Sequence, residues 1–167
     1  MRIGKEITLE LRKAKIEICE EFYQNMMTFS NYAQLATMYF KGSDWSMEND
    51  FPRLELLRKH KVGLLSVGMV TDVKETYNNI RYLAVFGDSE VNINYSGYSV
   101  AQVIIRHNSK VKIIVKDESK IQINILDNAE IEIDCQDNAV VSVYDYGKNT
   151  KIKTSGNIKI TPSKWQK

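Results

Sequence analysis

Residues 91–150 read VNINYSGYSV, AQVIIRHNSK, VKIIVKDESK, IQINILDNAE, IEIDCQDNAV and VSVYDYGKNT, six units of ten residues, with RYLAVFGDSE at 81–90 as a rougher unit before them. The consensus is apolar-x-apolar-x-apolar-x-Asp-Asn-Ser/Ala-x. Alternation at positions one, three and five describes a strand with one buried face, and Ile, Val and Tyr suit a pleated surface. The third position holds Leu83, Ile93, Val103, Ile113, Ile123, Ile133 and Val143, aliphatic in every unit. A continuous internal ladder follows.

The seventh to ninth positions carry corner chemistry. Asp and Asn tolerate a left-handed backbone and bond nearby amides, and Asp117, Asp127 and Asp137 occupy the seventh position where Gly87, Gly97 and Gly147 stand in other units. His107 sits there too. A meander of hairpins would prefer Asn-Gly or Asp-Gly turns, whereas these units end in Asn-Ser or Asn-Ala at constant length. The pattern therefore predicts a mainly β chain with a helical N-terminus, folded as a single-stranded parallel β-solenoid with two repeats per coil. Twenty residues per coil set Lys112 against Glu132, opposite charges on one outer face. The other outer face aligns Ile104, Asn124 and Tyr144, then Arg106, Leu126 and Tyr146.

Outward positions four and six should be polar on a solvated strand. Ile104, Leu126, Tyr144 and Tyr146 are thus expected to form a partner-binding patch, unless the N-terminal helices cover them. Asp127, Glu130, Glu132, Asp134 and Asp137 form an alternative acidic face, in a stretch without Lys or Arg from 121 to 147. Pairing with the rung carrying Lys110, Lys112, Lys116 and Lys120 is the plainer expectation for these carboxylates.

Outside the repeat, Ile7, Leu11, Ala14, Ile18, Phe22 and Met26 have helical spacing and predict one amphipathic helix over 5–27. A second is expected from Ser30 or Asn31 as N-cap to Gly42, burying Ala33, Leu35, Met38 and Tyr39, and a third follows Pro52 and ends near Gly63. KGSDWSMENDFP between them is expected to be a polar connection pinned by Trp45 and Phe51. The expected divisions are a helical segment at 1–70, a solenoid at 71–160 and a basic tail at 161–167. Pro162 and the lysines at 159, 164 and 167 discourage further strand addition at that end.

Composition excludes several classes. Lys+Arg number 23 against 21 Asp+Glu, so bulk charge gives no prior for nucleic acid. Cys19 and Cys135 are too few for a disulfide framework or a clustered metal site, and the charged first residues with no long apolar run point to a cytoplasmic chain without a membrane span. His60 and His107 lack a neighbouring nucleophile or base, and the repeats lack the Gly-rich calcium nonapeptide. No catalytic, metal or cofactor residue is expected.

The Asp-Asn-Ala units joined to a helical N-terminus with NDFPRLELLRKHK resemble short-repeat β-solenoid proteins encoded by bacterial phages and related mobile elements. That resemblance implies a context, in the host cytoplasm or the virion, and a protein partner, but no activity motif. Two functions are expected from it: an assembly component, self-associating or bound to another phage protein, or an inhibitor binding a host defence protein such as a nuclease.

Overall fold

The computed structural model describes residues 3–165. The chain divides into two compact units, Met1–Val67 and Gly68–Lys167.

The first unit is helical. Helix α1 (Ile3–Ala14) buries Ile3, Ile7 and Leu11 at four-residue spacing. The single helix expected over 5–27 is two: the backbone turns left-handed at Lys15, with φ of 53°, and restarts as α2 (Glu20–Thr28). The physical reason is close packing of the two pieces. Gly4 N–H donates to the Phe29 carbonyl at 3.2 Å, and a Cβ at Gly4 would collide with the Met26 carbonyl oxygen, so α2 must fold back against α1. Helix α3 (Tyr32–Lys41) is capped as its sequence implies. Asn31 Oδ1 accepts from Gln34 N–H at 3.0 Å, and Gly42 N–H closes the other end on the Met38 carbonyl at 2.9 Å. It buries Leu35, Ala36 and Tyr39, while Ala33 is exposed. The expected polar connection after it is itself helical in part, α4 (Ser43–Glu48), with Phe51 buried beyond it. Two short helices, α5 (Leu54–Lys59) and α6 (Lys61–Leu65), complete the unit. Glu6 binds them back to α1: its carboxylate meets Lys59 Nζ and lies 3.2 Å from His60 Nε2, while Tyr32 Oη and His60 Nδ1 are 3.1 Å apart.

The second unit is the two-sided parallel solenoid. One sheet contains β1 (Met69–Thr71), β3 (Tyr82–Phe86), β5 (Val100–Ile105), β7 (Lys120–Ile125), β9 (Val140–Asp145) and β11 (Ile158–Pro162). The other contains β2 (Lys74–Asn78), β4 (Glu90–Tyr95), β6 (Lys110–Val115), β8 (Glu130–Cys135) and β10 (Lys151–Ser155). Every pairing is parallel, and strands alternate between sheets along the chain, so each coil takes one strand from each. In the central coils the register advances by twenty residues, as in Val103↔Ile123 and Ile113↔Ile133. Pairing runs from Met69 to Pro162, two residues beyond the expected solenoid at each end.

The inward ladder is dry: Leu83, Ile93, Val103, Ile123 and Val143 are wholly buried, and Ile113 and Ile133 nearly so. Each such aliphatic side chain stabilises the stack by about 1.5–3 kcal/mol. The corners repeat one bond. Asp117 and Asp137 have φ of 59° and 54°, and the carboxylate of each accepts the backbone N–H of the corner residue one coil earlier: Gly97 N to Asp117 at 2.6 Å, Asp117 N to Asp137 at 3.1 Å. On the opposite corner His107 N donates to Asp127 at 3.0 Å, and His107 Nδ1 accepts from Gly87 N at 3.1 Å. The side chain at position seven thus satisfies an amide that a tight bend would otherwise leave to water. Ser109, Ser119, Ala129 and Ala139, the small ninth residues, are wholly buried beneath the bends.

Candidate functional site

Outer side chains of a strand stand at alternate positions, so the register decides which residues share a surface. On the five-stranded sheet one row runs Lys74, Glu90, Lys110, Glu130, Lys151, with the sign changing at every strand. The next row includes Lys112, Glu132 and Lys153. Lys74–Glu90, Lys151–Glu130 and Lys153–Glu132 are ion pairs at 3.2, 2.7 and 3.1 Å. The Lys151 ammonium, with Lys110 behind it, holds the Glu130 carboxyl below its ordinary pKa. Asp134 is held low by hydrogen bonds from Gln136 and Ser155.

The anticipated acidic face is therefore dispersed. Glu130 and Glu132 lie between two lysine strands; Asp134 sits opposite Ile114 and Ser155, and Asp127 pairs with Arg106 at 3.2 Å. Asp137 belongs to a corner. Lys151 and Lys153 were beyond sequence reasoning, because the last coil of this sheet advances by twenty-one residues rather than twenty. The surplus residue lies in Gly147-Lys148-Asn149-Thr150, where a turn replaces the regular corner.

The six-stranded sheet has the predicted outer rows: Ile104↔Asn124↔Tyr144 pair directly. The expected patch does not form a solvent-facing surface. Ile104 is 0% exposed and Leu126 3%, and Tyr144 and Tyr146 are half-buried. Trp165 of the C-terminal segment stacks on Tyr146, with ring centroids 4.1 Å apart and planes 10° from parallel. Apolar surface already withdrawn from water has no burial energy left for a partner, which removes Ile104 and Leu126 as anchors.

The exposed half of this face lies toward the strand starts. Tyr82 is 43% exposed, Val100 63% and Val140 39%; Val100 and Val140 flank Lys120 in one row, and Tyr82 stands opposite Gln102. Tyr98, on the corner beside them, is 86% exposed. Position ten, which the repeat leaves unspecified, supplies the two valines; their β-branched side chains at a non-core position were the available signal.

Cys135 is inward, its thiol pushed up in pKa by burial and bonded to the Ala139 carbonyl at 3.3 Å. Among the described residues no group of three His, Cys, Asp or Glu is placed to hold a metal ion, and no helix is long and apolar enough to cross a membrane. Compared with models of known protein families, with curated proteins and with solved structures, the chain matches none. Its class is defined by its own geometry: a two-sheet parallel β-solenoid of ten-residue repeats with a helical N-terminal unit.

Proposed function

We propose that the chain is a non-catalytic protein-binding scaffold, serving in the assembly of a phage or mobile element, in which the solenoid holds a flat contact surface rigid. The observation that supports this is the exposed strip of Tyr82, Tyr98, Val100 and Val140 on a sheet whose strands are pinned by internal ladders. Large apolar and aromatic side chains kept in water on a rigid frame are what a partner surface requires, since aromatic anchors bury much area at little entropic cost. The Lys/Glu rows of the opposite sheet favour solubility there, where Lys74–Glu90, Lys151–Glu130 and Lys153–Glu132 pair within the protein.

The test compares the natural chain with Val100→Glu/Val140→Glu, a pair at exposed sites whose carboxylates would flank Lys120 in the same row, so that folding should be unaffected. Light scattering gives the mass of the chain alone, and affinity capture from the natural host's proteins gives the partner. A defined oligomer or complex that the double variant loses, at unchanged melting temperature, supports the proposal. Equal capture by both chains would overturn it. Self-association assigns the surface to assembly, whereas one host protein at equal stoichiometry assigns it to inhibition.

A further inference from the structure

β10 is the last strand of the five-stranded sheet and β11 the last of the six-stranded one, and among the described residues no further strand pairs with either. The core is open at this end. Ile152 and Ile158, on inward rows, are only half-buried, and Ile160, paired with the wholly buried Val143, is 42% exposed. Which backbone groups these edges offer follows from the ladder. Lys151 N–H donates to the Ala129 carbonyl at 3.1 Å and Ser163 N–H to the Asp145 carbonyl at 2.8 Å, and successive residues of a strand aim these groups to opposite sides. The even-numbered residues of both strands therefore face outward. On β11 one of them is Pro162, which has no N–H and blunts that edge. On β10 they are Ile152 and Thr154, each with its donor and its acceptor.

The same sheet shows what pairs with such a strand. β6 carries Lys110-Val111-Lys112 and lies between Glu90-Val91-Asn92 of β4 and Glu130-Ile131-Glu132 of β8. β10 repeats the triplet as Lys151-Ile152-Lys153, with the β8 carboxylates on one side at 2.7 and 3.1 Å and, among the described residues, no strand on the other. Opposite charges directly across a ladder stabilise a pairing and like charges oppose it. A second copy is the poorer match: in the same register its β10 sets Lys151 and Lys153 against their own kind, and its β2 sets Lys74 against Lys151.

We propose that the outer edge of β10 takes up an extended segment of a partner protein with acidic residues on either side of an aliphatic one, a Glu-Ile-Glu type of strand that forms the next rung. Its main chain bonds Ile152 and Thr154, its aliphatic side chain covers Ile152 at the open core, and its carboxylates stand beside Lys151 and Lys153. The main chain gives affinity and the charges select the partner. The inference rests on the protein-binding reading but concerns the other sheet and different residues from the strip of Tyr82, Val100 and Val140.

The experiment uses the full chain and two fluorescent peptides: a copy of residues 129–137, AEIEIDCQD carrying Cys135→Ser, and a copy of residues 109–117, SKVKIIVKD, as the basic control. The expected result is anisotropy binding of the acidic peptide alone, weaker at high salt. Thr154→Pro takes away one outward N–H and no bond to β8, and should weaken that binding roughly tenfold at unchanged melting temperature. Lys151→Gln/Lys153→Gln leaves the backbone edge whole, and because both lysines are exposed the fold does not depend on their pairs. It should weaken binding several-fold at low salt and little at high salt, which keeps the proposal testable where the proline disturbs the last coil. Equal binding of the basic peptide, binding indifferent to both variants, or no binding of the acidic peptide overturns the proposal. So does a dimer of the natural chain that Thr154→Pro makes monomeric, because the occupant is then a second copy. Val100→Glu/Val140→Glu should leave peptide binding unchanged, so failure of the edge and failure of the strip are read separately.

Discussion

Asp117 lets the corner bond be tested one component at a time. Its φ of 59° lies in the left-handed region, and its carboxylate accepts Gly97 N–H at 2.6 Å. Replacing it with Ala removes the acceptor and puts a Cβ-bearing residue without a local hydrogen bond into a conformation costing about 1–2 kcal/mol. A hydrogen bond to a charged group contributes about 1.5–3 kcal/mol, and at this exposed corner the lower end applies. Asp117→Ala should therefore destabilise the solenoid by roughly 2.5–3.5 kcal/mol. Asp117→Gly keeps the backbone at ease, as Gly97 already does one coil earlier, but loses the bond and frees the unfolded chain, for about 2 kcal/mol. Asp117→Asn retains both acceptor and backbone preference, and should cost under about 1 kcal/mol. Urea denaturation followed by β circular dichroism measures all three. The order Asn, Gly, Ala in increasing loss is required; an Ala variant as stable as Asn would show that neither the bond nor the backbone matters there.

Ile123, fully buried at the centre of the ladder, should not tolerate Asp: an unpaired buried charge costs several kcal/mol, and the variant should lack β circular dichroism or be insoluble. Glu6 is held below its ordinary carboxyl pKa first by its hydrogen bond to Lys59 and further by His60, against opposing desolvation. A lowered folded pKa stabilises above the ordinary value near 4.5 and is lost as pH falls through the folded value, so the helical unit should weaken from about pH 4.5 downward. Glu6→Gln should flatten that part of the profile; an unchanged acid limb in thermal melts would refute it. Trp165→Ala removes the stack on Tyr146 and should lower stability by about 0.5–1.5 kcal/mol beyond the area lost, with Tyr146 becoming more accessible to iodination.

Much of the solenoid was legible because its information is local and repeated. A period of ten, with aliphatics at position three and Asp at position seven, specifies strand, corner and inward face without reference to anything distant, and Lys112 opposite Glu132 set the coil at two repeats. The misreadings arose where distant contacts decide. Ile104 and Leu126 were correctly placed on an outer face, but burial is a property of the folded chain, and no periodicity encodes it. The break at Lys15 interrupts a spacing that runs unbroken from Ile7 to Met26, since the fold-back of α2 depends on Gly4 meeting Met26. Polar KGSDWSMENDFP concealed α4, whose apolar contribution is chiefly Trp45 and Met47.

The twenty-residue advance of the central coils makes the molecule a ruler with a coarse graduation. Duplicating or deleting two consecutive repeats would lengthen or shorten the stack by one rung, about 4.8 Å, and every neighbouring side chain would keep its face. A single repeat cannot be gained or lost so quietly. Inserting ten residues would carry the Glu130 and Glu132 strand onto the six-stranded sheet and bring Val140 to the side where Lys110 and Lys151 now stand, exchanging the two surfaces for everything downstream. Length in this architecture is therefore inherited in pairs, and the even count is what keeps the charged side and the apolar side apart.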